Sequence, residues 1–589
     1  MRILFLLLIL VSLSACSGSD KTPEDFDFTT TFEKSDGQQT ATYEEIIQFY
    51  EDLDEAYTSI KTYTVGRTDS GLPLHLITFN PNRTFDSEFA DKLEVTRILI
   101  NNGIHPGEPD GIDATMMLFR DLANGTIPAP NKVWISAIAV YNIGGALNRN
   151  TNSRTNQNGP EAYGFRGNAR NYDLNRDFIK ADTKNARAFA EIYHMIDPDI
   201  FIDNHVSNGA DYQYTLTHLF SQHNKLGGEL GDYLHTVFQP ALEADLQRKD
   251  WDITPYVNVF NRTPESGFSQ FMDYPRYSTG YTSLWNTLGL MVETHMLKPY
   301  PKRVAGTYEL MKSAITVAEL QGTEIRQKRK MTDSVFLPAG RQGAKANYYP
   351  TQFAIDSSQT TILQFKGYEG EYLTSPITGQ QRLKYDRTKP FTKPINYYNF
   401  FKVTDSVLIP KAYVIPQGWW QVLQRLSDNE IEMDRISKDT ILTLEVSRIV
   451  DYKTRNRAYE GHFAHYATRV ERHLESVALR AGDRIVYTDQ PGIRYLLETL
   501  EPEAMDSFFN WNFFDTILQQ KEGYSPYVWE DLALEFLEQN PKIKQEFERK
   551  KDQDAAFSGN LYAQLDWIHK KSPYYEQAHL RYPVFRMLE

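Results

Sequence analysis

The sequence predicts an α/β domain with a mostly parallel or mixed sheet, followed by an accessory region that is β-rich and then helical. From about residue 46 to 325, short apolar runs rich in β-branched residues alternate with segments of helical periodicity. A polar break containing Pro338, Ala339 and Gly340 follows, and residues 326–347 read as a linker. Beyond it, residues 348–589 open with strand-like runs at 361–365, 408–415 and 441–450, then turn helical after about residue 493.

Each element has its own signal. Residues 95–100 and 133–140 are short buried-strand patterns. After Asp182, the residues Ala186, Phe189, Ala190, Tyr193 and Ile196 fall on one face of a helix. Residues 199–203 and 288–293 read as further strands, and 303–320 as a helix that closes the domain. No internal repeat is evident. A length of 589 residues implies two or three domains.

The first 16 residues read as a signal peptide. Arg2 precedes an apolar run over 3–11, and small residues precede Cys16. The run falls short of the ~20 apolar residues needed to span a bilayer. Leu13-Ser14-Ala15-Cys16 resembles the bacterial lipobox, whose cysteine becomes the lipidated first residue of the mature chain. Cys16 is the only cysteine, so there are no internal disulfides. The expected product is an exported bacterial lipoprotein, anchored to the lipid bilayer at the periplasmic face or the cell surface. Residues 17–45, rich in Ser, Thr, Asp and Glu, read as a flexible tether, too short to fold over a site as a pro-segment. A net charge of -14 argues against nucleic acid as a partner, because phosphate binding needs a basic face.

Four local patterns carry chemistry. His105-Pro106-Gly107-Glu108 directly follows a predicted strand. Pro106 and Gly107 suit the centre of a type II turn, with φ > 0 at the glycine, which brings the Cα atoms of His105 and Glu108 within ~7 Å. An imidazole and a carboxylate aimed at one point are two thirds of a catalytic zinc site, though a surface turn would look the same. The segment from Arg170 to Phe178 packs Arg, Asn and Asp together before a helix. It serves as a helix-capping loop or as a site for a carboxylate. The run Asp199 to His205 ends in a histidine that supplies a third ligand from another strand end. Leu288 to Glu293 ends an apolar strand on a glutamate, and burial there raises a carboxylate's pKa toward that of a general base.

These motifs, in this order over residues 46–325, resemble the zinc carboxypeptidases of the M14 (carboxypeptidase A-like) family. The resemblance implies an α/β/α sandwich around a mixed, mostly eight-stranded sheet, with one zinc ion per chain at the strand ends. It implies that His105, Glu108 and His205 are the zinc ligands and that Glu293 activates the attacking water. It makes Asp173 the carboxylate that orients the first zinc histidine, and Asn175 with Arg176 the pair that grips a peptide's C-terminal carboxylate. Arg166 matches the oxyanion arginine by its spacing to Asn175, with Arg154 and Arg149 as rivals. The mobile active-site tyrosine has three candidates, Tyr274, Tyr277 and Tyr281. The implied activity is removal of C-terminal residues from peptides.

The remaining histidines carry less. His295 shares a strand face with Glu293 and suits a packing or polar-network role. His462 and His465 lack a partner motif and read as structural. Three rival functions stand beside the carboxypeptidase: a zinc deacylase of N-acyl amino acids, a cell-wall peptide hydrolase, and an inactive peptide- or glycan-binding surface protein. The accessory region and export signal favour a peptide over an N-acyl amino acid, and retention of all three ligands with Glu293 argues against inactivity.

Overall fold

The computed structural model describes residues 22–85, 94–337 and 347–589. The signal peptide with Cys16, and the Pro338-Ala339-Gly340 break, lie outside the described residues.

Among the described residues, nine strands occupy the first half: β1 (Ile60–Val65), β2 (Leu74–Phe79), β3 (Thr96–Asn101), β4 (Val133–Ile138), β5 (Ile200–Ser207), β6 (Leu216–Phe220), β7 (Ile253–Pro255), β8 (Phe268–Ser269) and β9 (Leu288–His295). All but β8 form one mixed eight-stranded sheet in the order β1-β2-β4-β3-β5-β9-β6-β7. The central β4, β3, β5 and β9 are mutually parallel, and β1, β2 and β6 join antiparallel. Parallel strands are covered on both faces, which explains why β4 and β5 are buried along their whole length. Helices Asp110–Ala123, Tyr43–Ala56 and Tyr300–Val335 pack together as one layer, while Lys184–Ile196 packs on β1, β2 and β3 and Ser278–Thr282 on β5 and β9. The chain leaves β3 for β4 on one side and then crosses to β5 on the other. Such a reversal opens a crevice at the carboxyl ends of the strands.

Three expectations are corrected. Residues 22–45 are not a loose tether. Thr30 and Glu33 form a capping box on the helix Thr31–Lys34, and Arg120 bonds both Glu33 and the Phe28 carbonyl. Arg149 clamps the carbonyls of Thr40 and Ala41. The aromatic rings of Phe28, Phe32 and Phe49 anchor a stretch whose composition is otherwise polar. Nor does a linker begin at 326: the closing helix runs to Val335, because Arg329 pairs with Asp197 and Asp199 and pins its last turns to the domain.

The third correction concerns the accessory region, which is built into the same body. It contains β10 (Tyr348–Ile355), β11 (Thr361–Thr374), β12 (Gln381–Tyr398), β13 (Phe401–Leu408), β14 (Ala412–Ile415), β15 (Asp434–Arg435), β16 (Thr440–Thr454), β17 (His465–Leu479), β18 (Arg484–Tyr487) and β19 (Phe585–Met587). β12 pairs with β8 of the first half, and one buried apolar core runs continuously from Ile46 through Tyr349, Tyr495 and Trp511 to Val584. A six-stranded sheet, β15-β18-β14-β19-β16-β17, places the late strand β19 between β14 and β16. Two long hairpins reach back toward the first half. The β11–β12 arm meets residues 211–214 and 261–263, and the β16–β17 arm meets residues 172–182.

Candidate metal and peptide-binding site

Strand register assembles the site. His205 on β5 lies directly opposite Glu293 on β9, and Asn101 at the end of β3 opposite Asp203. Just past β3, the backbone N–H of Glu108 donates to the His105 carbonyl at 2.8 Å, closing the turn. The turn is not type II, because Gly107 does not adopt positive φ. Crowding favours glycine there instead. A Cβ would sit 3.0 Å from the Gly164 carbonyl oxygen and 3.2 Å from Arg154.

His105, Glu108 and His205 are all buried, and one donor atom from each lies within 4.8 Å of the others. The Nδ1 atoms of His105 and His205 approach the two Glu108 oxygens at 3.4 and 3.2 Å. The far Nε2 atoms face carboxylates, Asp173 at 2.9 Å and Asp203 at 3.0 Å. For His105, an Nε2–H donated to Asp173 leaves the Nδ1 lone pair pointing inward, which is the tautomer a metal ligand needs; His205 also turns Nδ1 inward, with its Nε2 near Asp203 but outside hydrogen-bond geometry. Two imidazoles and one carboxylate, each oriented this way, fit zinc with a position left open. Burial works against charge on Glu108, yet Arg154 and the two histidines hold its carboxyl well below the usual range. Asp173 is held low in the same way by His105 and Arg166. Glu293 behaves oppositely. Burial, reinforced by Glu108 and Asp203, pushes it up to about 7 against the pull of His205 and Arg154.

Two arginines flank the triad. Arg154 donates to Glu108 at 2.6 Å and also to Gln157 and the Val206 carbonyl, so each of its three nitrogens has a partner. Arg166 gives Nε and Nη2 to Asp173 and turns Nη1 toward His105 Nδ1 at 3.3 Å. Arg149 is removed from the site by its bonds to the Thr40, Ala41 and Ala162 carbonyls.

A cleft of about 330 Å³ opens at the triad, its lining including Arg166, Asn175 and Arg176 as well as Tyr256, Leu219 and Met291. Asn175 accepts a hydrogen bond from the Ser278 backbone, which fixes its amide. The Arg176 guanidinium stacks 4.6 Å over the ring of Tyr277. Tyr277 is thus the one of the three candidate tyrosines that lines the cleft; Tyr281 is buried against Asn429. His295 stacks on Tyr212 and faces Asp211, while His462 and His465 pair with Asp182 and Asp515, so all three lie outside the cleft lining.

Sequence reasoning missed Asp203 and Tyr256. Asp203 stands two residues before His205 on the same strand, so both point to one face, and that spacing was a usable signal. Tyr256 sits in a loop after β7, where no pattern marks it.

The zinc carboxypeptidase family of M14 peptidases matches residues 46–200. Carboxypeptidase 2 of Trichophyton rubrum is 23% identical over 438 residues, covering 70% of this chain and 73% of the relative. Carboxypeptidase 2 of Trichophyton equinum matches over the same span at 23%. Among solved structures, a metallo-carboxypeptidase from Burkholderia cenocepacia has a TM-score of 0.36 at 15% identity, over 48% of this chain and 70% of that one. One from Pseudomonas aeruginosa, in complex with (2-guanidinoethylmercapto)succinic acid, has a TM-score of 0.36 at 13% identity, over 49% and 70%.

Proposed function

From the premise that this chain carries a zinc carboxypeptidase domain of the M14 family and is a peptide hydrolase, we propose that it removes C-terminal residues from peptides, with Glu293 as general base. The observation that carries this reading is one cleft holding a His-Glu-His triad, a buried glutamate and the Asn175-Arg176 pair. Zinc held by His105, Glu108 and His205 supplies a Lewis acid that acidifies water and polarises a carbonyl. Glu293 accepts the proton of the attacking water and returns it to the leaving amine; a carboxyl displaced toward neutrality suits both transfers. Arg166 offers its Nη1 to the oxyanion that develops on the scissile carbonyl, whereas Arg154 is spent on Glu108. Asn175 and Arg176 grip the free carboxylate, Arg176 held flat by Tyr277.

A mass-spectrometric digest of a mixed peptide library tests the reading. Stepwise loss of single C-terminal residues, with amidated peptides spared, is the expected result. Internal cleavage, or release of N-acyl groups alone, overturns it.

Export and anchoring rest on the lipobox-like Leu13-Ser14-Ala15-Cys16. The attachment proposed is a lipid on Cys16; among the described residues, no helix is long and apolar enough to cross a membrane. Cys16→Ala then moves the protein into the soluble fraction, and unchanged partitioning in detergent counts against the anchor.

A further inference from the structure

The loop carrying Asp173, Asn175 and Arg176 has little regular structure of its own, only a single 3-10 turn over Leu174–Arg176. Part of what holds it comes from the tip of the β16–β17 arm. There Tyr459 and His462 exchange both backbone hydrogen bonds, at 2.8 and 3.0 Å, around a two-residue loop of Glu460 and Gly461. Both loop residues have positive φ, +48° and +79°, which is a type I′ turn.

Such a turn favours Asn, Asp or Gly at its first position, because a longer side chain pays for the left-handed backbone without local hydrogen bonding to offset it. Glu460 is a costly residue there by local rules. Its side chain nevertheless does something a shorter one would not: Oε2 accepts the backbone N–H of Asp173 at 2.9 Å. Neighbouring contacts seat the tip beside that bond. A Cβ on Gly461 would lie 2.7 Å from the Tyr172 hydroxyl, His462 bonds Asp182 at 2.7 Å, and Tyr459 stacks on Trp511. Trp511 in turn lies under the cations of Lys180 and Arg276.

We propose that Glu460 is a positioning residue for the hydrolytic site: by fixing the Asp173 backbone it sets the carboxylate that orients His105 and the loop that presents Asn175 and Arg176. A strained turn residue whose side chain reaches the backbone of the site's own loop is the pattern expected when local stability is exchanged for site geometry. This role rests on the carboxypeptidase reading for its substrate half and on the His105–Asp173 contact alone for its metal half.

The test uses the full chain and two substitutions. Glu460→Gly removes the side chain and suits the turn, so the thermal midpoint stays equal or rises. Zinc affinity, read by competition with a chelator, and KM for free C-terminal peptides should each worsen about tenfold, the worth of one charge-assisted hydrogen bond. Glu460→Gln keeps an acceptor of the same reach and should recover most of both. Unchanged zinc affinity and KM in Glu460→Gly overturn the proposal, as does a Gln variant no better than the Gly variant. If the unsubstituted protein cuts no peptide, the carboxypeptidase reading is lost, while the zinc measurement still decides the role of Glu460.

Discussion

The ends of β3, β5 and β9 and the loop at 166–182 face each other across one cleft, yet they are held in place by different means. At the strand ends, sheet register does the positioning: His205 stands opposite Glu293 and Asp203 opposite Asn101. The loop is positioned by long-range side-chain contacts. Asp177 accepts from Lys180 and Thr183, Arg425 reaches the carbonyls of Lys180 and Ala181, and Glu460 reaches Asp173. The metal ligands are therefore set mainly by the strand ends, with His105 also leaning on the loop through Asp173, whereas the proposed carboxylate grip rests on the loop and, through Glu460 and Arg425, on the C-terminal half.

The sharpest way to probe the strand-end half is Glu293→Gln. It should keep zinc and fold, and lower kcat by about 10²–10⁴-fold, since the amide cannot take the water's proton. A general base acts only when ionised, so with Glu293 in that proposed role kcat/KM should fall as pH drops through its pKa. Burial places that carboxyl near 7 and a bound dication draws it lower, so the acid limb should lie below 7 and vanish from the residual activity of the variant. A near-normal kcat in Glu293→Gln would move the base elsewhere.

Next in size is the contrast between the two arginines. Arg166→Ala should lower kcat by about 10²–10³-fold with less change in KM, as loss of one oxyanion donor does. Should Arg154→Ala give that signature and Arg166→Ala none, the assignment reverses and the loop carries no part of the chemical step.

A third comparison sets Asp203→Asn against Asp173→Asn. Each removes the carboxylate behind one zinc histidine, and each should weaken zinc by about 10–100-fold. Only Asp173→Asn should also raise KM, because Asp173 pairs with Arg166 and accepts the Asn175 N–H within the loop. Identical behaviour of the two variants in chelator competition and peptide kinetics would erase the distinction between sheet and loop.

The smallest effect expected is on binding alone. A terminal carboxylate is present in ground and transition states alike, so Arg176→Ala should raise KM about tenfold and leave kcat and zinc content nearly unchanged. A large fall in kcat would show that the loop acts on the reacting carbonyl as well.

The strand-end half was also the half legible in the sequence. His105 and Glu108 are brought together by a four-residue turn, and His205 and Glu293 each end an apolar run, so short windows expose them. The two-residue spacing of Asp203 and His205 was equally local but easily passed over, since an aspartate inside a buried run reads as an interruption. The loop's supports could not be read. Asp173 and Glu460 are 287 residues apart, and nothing near Glu460 advertises a partner. Arg166 and Arg154 both follow the first ligand motif, and only the bonds of Arg154 to Glu108 and Val206 separate them. Composition misled at residues 22–45, where the Thr30–Glu33 capping signal and two phenylalanines outweigh a polar average.

The place of β19 carries a consequence for time rather than shape. Residues 585–587 fill the slot between β14 and β16, so until they are synthesised both neighbours present open backbone edges. A nascent chain that has already folded its metal-binding sheet still waits for those residues before the six-stranded sheet closes beneath the β16–β17 arm. The support that Glu460 gives the site would then mature last, and a chain stalled short of residue 585 would hold zinc more weakly and handle peptides poorly.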